Sequence, residues 1–524
     1  MSEWLRGGVV YQIYPRSFRD VDGNGVGDLK GVIEKLEYVA SLDVDAIWLS
    51  PFFASPQKDY GYDVSDYRGV DPLFGSLADA DALIKRAHDL NLKVIIDQVW
   101  SHSSDQHAWF AASRASRDNP KADWYVWADA KPDGSPPNNW QAMFGGGAWT
   151  WDARRRQYYL HNFLPEQPDL NVRNPAVQDA LLDMAKFWLE RGVDGFRLDV
   201  VNFYVQDAQL RDNPAIPFKR TPARPHQFQR QLYTRTQPET LQFIARLRKL
   251  LDQYGAMAVG EIEDEEPLKV QREYTDGPER LQTAYSFYLL RQRAMTPAVV
   301  NEAMTGWQGA AGWPSWSLSN HDVVRFPTRL AANDPQRTKL MMLLLLCLRG
   351  TPFIYQGDEL GLPHADVPFE RLRDPEAIAF WPNGIGRDGA RTPMPWQRDA
   401  NMAGFTDAPD AWLPLDPRHR ALAVDVQDDD RNSVLTFTRE AIAFRKTSAA
   451  LRVGDFVSLE AAEPVLAFER ISGDEHMLCL FNLGDTPASY AASGAKLQLF
   501  SAGGATLAGA TAELPAYSAL ITAL

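Results

Sequence analysis

Cysteine is almost missing from this chain. Only Cys347 and Cys479 occur, so no disulfide framework can hold the fold, and Cys347, inside the apolar run Met341 to Leu348, reads as a buried free thiol. Long hydrophobic stretches are missing as well. The run around Cys347 is the most apolar in the sequence, yet Arg349-Gly350 closes it far short of the roughly 20 residues that a membrane span requires. It predicts a buried helix. The N-terminal Met-Ser-Glu-Trp-Leu-Arg lacks the apolar core of a secretory signal, which predicts a cytoplasmic protein without a membrane partner. Positive charge is also in short supply: 54 Lys and Arg stand against 68 Asp and Glu, a formal charge of −14. The two signs are interspersed, so the surface repels phosphate backbones and predicts no nucleic-acid partner.

What is present fits a large folded protein. At 524 residues the chain exceeds one compact core and predicts two or three domains. Aromatic residues make up 11%; their faces suit stacking on pyranose rings, although ordinary cores use them too.

Short β-branched or aromatic runs alternate with longer helical stretches, the rhythm of a parallel sheet. The expected strands are Val9 to Tyr14, Ala46 to Leu49, Lys93 to Val99, Gly195 to Asp199, Met257 to Gly260, Ala284 to Phe287, Trp316 to Ser319 and Pro352 to Tyr355. Amphipathic segments such as Leu77 to Leu90 and Val177 to Arg191 lie between them. Eight such units predict an α/β fold of the (β/α)8 TIM-barrel class, over residues 1–101 and 172–451. Residues 102–171, too long for a simple connection, predict an inserted lobe after strand 3, and the proline-rich excursion at about 203–237 predicts a cap over the pocket. From 452 to 524 short alternating runs predict a C-terminal all-β sandwich domain.

In a barrel of this class chemistry sits at the C-terminal ends of the strands. The fourth strand ends in Gly195-Phe-Arg-Leu-Asp-Val200, which puts Arg197 and Asp199 on one side of an alternating strand. A cation beside a carboxylate favours its ionised form, as a carboxylate nucleophile requires; a plain buried ion pair has the same pattern. The fifth strand ends in Gly260-Glu261, a second carboxylate facing the same mouth. Two carboxylates on neighbouring strands point to glycoside cleavage. The third and seventh strands add His102, His321 and Asp322, whose neutral imidazoles could donate hydrogen bonds to sugar hydroxyls.

These four segments, in this order, resemble the signature regions of glycoside hydrolase family 13, the α-amylase superfamily. Gln167-Pro-Asp-Leu-Asn171, Tyr355-Gln-Gly-Asp-Glu-Leu-Gly361 and Ala390-Arg-Thr-Pro-Met-Pro-Trp396 resemble its α-glucosidase and oligo-1,6-glucosidase branch. The resemblance implies a retaining, exo-acting α-glucosidase that acts on a small sugar substrate and can also transfer glucose. It implies Asp199 as nucleophile, Glu261 as acid/base and Asp322 as a stabiliser of the distorted sugar, with Arg197 orienting Asp199. It also implies glucose binding by Asp63, in Gly61-Tyr-Asp63, and by His102, His321 and Arg391, with Asp63 and Arg391 sealing the non-reducing end. Position 66, shortly after that motif, holds an aspartate rather than a tyrosine, and Asp66 is assigned no place in the site. Val200 after the nucleophile accompanies tolerance of α-1,6 bonds in this branch.

No cofactor is needed for this chemistry. Ser101 stands where much of the family has an Asn that helps bind calcium, which argues against that site. The run Asp20 to Asp28 offers Asp20, Asp22, Asn24, the Val26 carbonyl and Asp28 in the alternation of a cation loop, with Gly25 at the sharp turn. Its twelfth position, Gly31, lacks the bidentate Glu of an EF-hand, so it predicts a structural Ca2+ or Mg2+ completed by water; an Asp/Gly-rich turn without metal has the same composition. Other readings are a sucrose hydrolase, a sucrose phosphorylase or a sugar isomerase of the same family, a non-catalytic barrel scaffold, and a metal-dependent hydrolase using His102 and His107, a spacing that fits no familiar zinc pair. The sequence leaves the oligomeric state open.

Overall fold

The computed structural model describes residues 4–217, 224–384 and 386–524. Eight parallel strands form its centre: β1 Val10–Ile13, β2 Ala46–Leu49, β3 Lys93–Gln98, β4 Gly195–Leu198, β5 Met257–Ile262, β6 Thr283–Ser286, β7 Ser315–Ser317 and β8 Thr351–Tyr355. Neighbours follow chain order from β1 to β6, and β8 lies between β1 and β7. A parallel bridge from Ala284 to Pro314 links the two remaining edges. The result is a (β/α)8 barrel. All eight expected strands are present, with ends shifted by a few residues.

The barrel strands read as apolar runs because both faces are covered. In β2 and β4 every residue is buried, which removes the polar alternation of a half-exposed strand. The helices are amphipathic and capped. Helix α1, Leu29–Ser41, begins at Asp28, whose side chain accepts the Gly31 N–H. Helix α2, Leu77–Asp89, opens on a capping box formed by Ser76 and Asp79. Helix α3, Pro175–Leu189, starts with Asn174 as cap and proline in its first turn. Helix α4 spans Glu239–Tyr254. Helix α5, Pro335–Cys347, is buried from Leu340 to Cys347, as the apolar run predicts.

Between β3 and β4 the chain builds the lobe. It contains helix Ala108–Ala115 and a three-stranded antiparallel sheet of Trp127–Ala128, Trp149–Asp152 and Gln157–Leu160. Trp140, Trp149 and Leu160 give it a small core of its own. At the other end, helix α6, Val434–Lys446, leads through Ala449–Val453 into antiparallel β structure. Strands β9 Asp455–Leu459, β10 Val465–Ser472, β11 Glu475–Asn482, β12 Leu497–Ala502 and β13 Ser518–Ala523 make one sheet, and a three-stranded sheet completes the domain. Phe468, Cys479 and Phe481 belong to the same apolar cluster as the α5 leucines, so this domain packs directly on the barrel. Both cysteines are buried and free. Among the described residues no helix is long and apolar enough to cross a membrane.

Candidate active site

A cavity of about 160 Å³ opens at the C-terminal ends of the strands. Asp199, one residue past β4, and Glu261, within β5, line it together with Asp322 beyond β7. Arg197 lies beneath them and is fully buried. Its Nη1 donates to Asp199 Oδ1 at 2.7 Å and to Asp97 Oδ1 at 2.8 Å. Its Nη2 lies 2.5 Å from Glu261 Oε2, as an ion pair without an aligned hydrogen bond. One guanidinium therefore bridges both carboxylates that the sequence pattern pairs.

Three buried carboxyl groups surround that single positive charge, so they do not ionise together at low pH. Burial pushes Asp97 up to about 6, Asp199 to about 7 and Glu261 to about 8, while Arg197 opposes the shift in each case. The cation in the sequence pattern thus moderates the Asp199 carboxyl without overriding burial. Asp322 behaves oppositely. Burial would raise it, but His321, Arg391 and Arg387 outweigh burial and hold it well below the usual carboxylate range. Arg391 Nη2 donates to Asp322 Oδ1 at 2.9 Å.

Val200 follows Asp199 at φ 32°, ψ 52°. A β-branched residue in this left-handed region is strained. The turn has a local consequence: the Val200 N–H points at Glu261 and donates to its Oε2 at 3.1 Å. Tyr285 Oη donates to the other oxygen at 3.1 Å.

His102 lines the cavity. Its Nδ1 pairs with Ser101 Oγ at 2.8 Å and its Nε2 with the Tyr62 carbonyl at 2.9 Å. Burial lowers the ring to about 4, so it is neutral near pH 7. His321 stands one layer back, fully buried, with Nδ1 2.8 Å from Gln12 Nε2 and Nε2 against the Tyr62 hydroxyl. His107 does not join His102 on the cavity wall; it caps helix Ala108–Ala115 by accepting the Trp109 N–H.

The two residues expected to seal the non-reducing end lie behind the cavity wall. Asp63 is fully buried and off the cavity wall, accepting from Ser55 Oγ and the N–H groups of Lys58 and Asp59. Arg391 is also off the wall and acts on Asp322 from behind. The wall positions belong to Asp59 and Arg387, paired at 2.8 Å. Each lies four residues before the expected one. A buried carboxylate that caps its own turn and one that faces a cavity look alike in sequence.

The tyrosine that this segment contributes to the wall is Tyr62, inside the Gly61-Tyr-Asp63 motif. Position 66 supplies no ring and no wall contact. Asp66 is exposed, opens the short strand Asp66–Val70 and accepts the Arg68 N–H at 2.9 Å, so its carboxylate is used in its own turn. Phe144 and Phe163 also line the cavity; they carry no sequence signal beyond their place in the lobe.

In the Asp20–Asp28 loop, Asp20 accepts from the Gly23 and Gly25 N–H groups and from Thr406 Oγ1. Asp28 accepts from Val21, Asp22 and Gly31. Asn24 Oδ1 accepts from the Val26 N–H, and Gly25 turns the chain at φ 84°. Among the described residues no three His, Cys, Asp or Glu gather as metal ligands. The loop is thus held largely by its own N–H groups.

Residues 12–454 match the family model described as alpha amylase, catalytic domain. The chain is 51% identical to a probable alpha-glucosidase of Rhizobium meliloti (strain 1021), over 93% of this chain and 90% of that protein. It is 36% identical to an oligo-1,6-glucosidase of Parageobacillus thermoglucosidasius, over 92% and 91% of the two chains. The crystal structure of the alpha-glucosyl transfer enzyme XgtA superposes with a TM-score of 0.96 at 51% identity, covering 99% of each chain.

Proposed function

Because the chain belongs to the α-amylase family of glycoside hydrolases, we infer that it is an exo-acting, retaining α-glucosidase that removes the terminal non-reducing glucosyl unit from short oligosaccharides or glucosides. The observation that carries this reading is Arg197 bridging Asp199 and Glu261 at the base of a cavity at the C-terminal ends of the barrel strands. Asp199 attacks the anomeric carbon as Glu261 gives its proton to the leaving oxygen, and the C–O bond breaks through an oxocarbenium-like state. Glu261, now ionised, takes a proton from water, whose oxygen displaces Asp199 and restores the α configuration.

Asp322, kept ionised by Arg391 and Arg387, can accept hydrogen bonds from ring hydroxyls as the sugar distorts. His102 lines the same cavity as a neutral ring, with both nitrogens engaged by Ser101 and the Tyr62 carbonyl. Asp59 and Arg387 suit the hydroxyls at the closed end, which favours exo-action. A sugar hydroxyl in place of water gives transglucosylation from the same intermediate, and similarity to an alpha-glucosyl transfer enzyme supports that second outcome.

The test follows product anomer by NMR with maltose, isomaltose, sucrose and p-nitrophenyl α-glucoside in parallel. Early α-glucose supports the reading, early β-glucose overturns retention, and the isomaltose-to-maltose ratio tests the Val200 assignment. A structural calcium or magnesium ion remains a proposal. Asp20, Asp22, Asn24, the Val26 carbonyl and Asp28 would hold it through oxygen, bracing the turn into α1. Removal by chelator should then lower the melting temperature, with recovery on adding the ion; identical melting curves overturn it.

A further inference from the structure

Beyond the inner pocket the cavity widens into a second space of about 770 Å³. Arg224, Glu263, Arg291, Asp322 and Val323 line both, so the two are continuous. With a glucosyl unit in the inner pocket, the outer space receives the aglycone or the acceptor.

Its wall charges pair unevenly. Arg224 meets Glu376 at 2.6 Å, Arg291 meets Glu263 at 2.7 Å and Arg230 meets Glu265 at 3.2 Å. Asp322 is taken by Arg391. Arg329 spends its nitrogens on the carbonyls of Leu289, Gln292, Leu318 and Val324. Arg235 and Arg293 make no ion-pair contact within 4 Å among the described residues; Glu263, Asp264 and Glu265 act on Arg235 from farther off, and Asp264 also accepts from Thr236 Oγ1. Among the described residues five arginines thus line the space against four acids, a small local excess of positive charge within an acidic protein.

Arg235 is the informative member. It is 6% exposed, its guanidinium lies 5.3 Å from the Phe203 ring centre, and its Nε has no hydrogen-bond partner. A guanidinium withdrawn from water is costly to leave unpaired, and its planar fork matches carboxylate and phosphate oxygens. Ile216, Leu290 and Phe380 supply apolar surface on the same wall.

We propose that the outer space binds aglycones or acceptors carrying an anionic group, carboxylate or phosphate, on a sugar-like body, with Arg235 as its buried anchor and Arg293 at its rim. This rests on the α-glucosidase reading and names the substrate class that it favours. The test uses α-glucosides matched except for charge: maltobionate against maltitol for the carboxylate, and trehalose 6-phosphate against trehalose for the phosphate. In at least one pair the anionic member should have the higher kcat/KM, by on the order of tenfold at low salt. Arg235→Gln should remove most of that preference through KM, and Arg235→Lys should restore part of it. Equal turnover within both pairs, or a preference that Arg235→Gln leaves intact, overturns the proposal. Calorimetry on the Asp199→Asn variant gives a readout independent of turnover: tighter binding of an anionic member supports the proposal, and equal affinities overturn it. Lack of turnover of p-nitrophenyl α-glucoside by the parent would instead sink the α-glucosidase reading.

Discussion

Asp199 and Glu261 differ in what surrounds them more than in what they are. Both touch Arg197, but only Glu261 also receives the Val200 N–H and the Tyr285 hydroxyl; the Val200 N–H favours its ionised form, yet burial still makes it keep its proton to higher pH than Asp199. Asp199→Asn and Glu261→Gln should each reduce turnover of maltose by several orders of magnitude while circular dichroism remains that of the parent; near-normal rates in either would remove the assignment. The proton order also sets a pH profile. Attack requires Asp199 ionised, so kcat/KM should fall below about 7; leaving-group protonation requires Glu261 neutral, so it should fall above about 8. The two limbs belong to the coupled pair rather than to either residue alone. A rate flat from pH 5 to 9 would contradict this arrangement.

At the scale of elements, sequence periodicity located every barrel strand because each is a compact apolar run between polar clusters. It located the ends less well: β7 stops at Ser317, and Asp322 sits five residues beyond it. The turn into α1 shows how tightly an element end can constrain its residues. A Cβ on Gly31 would lie 1.9 Å from the Arg19 carbonyl oxygen. Gly31→Ala should therefore cost about 1–3 kcal/mol through overpacking. Urea unfolding should show a lower midpoint with an unchanged slope; an unmoved midpoint would mean that the turn relaxes without loss.

For the whole molecule, the main apolar cluster runs without a break from the barrel helices into the C-terminal sheet. Arg470 reinforces the join by donating to the Cys347 carbonyl at 2.6 Å and the Gly454 carbonyl at 2.9 Å. A chain ending at residue 453 would bare the α5 leucines, so it should aggregate or melt without cooperativity in calorimetry. A truncated barrel with a sharp transition near that of the parent would show that the two parts fold separately.

The barrel, the lobe, the C-terminal β domain and the carboxylate pair are all legible along the chain, because strand-end residues inherit their direction from a two-residue repeat that is readable in one dimension. Which loop side chains reach the cavity is a matter of packing instead. Asp59 and Arg387 face it while Asp63 and Arg391 turn away, since loops have no fixed period and their direction is set by which N–H groups the carboxylates must satisfy. The same holds for Arg235. Its unbonded Nε and its distance from the nearest acids are settled only when distant segments meet in three dimensions.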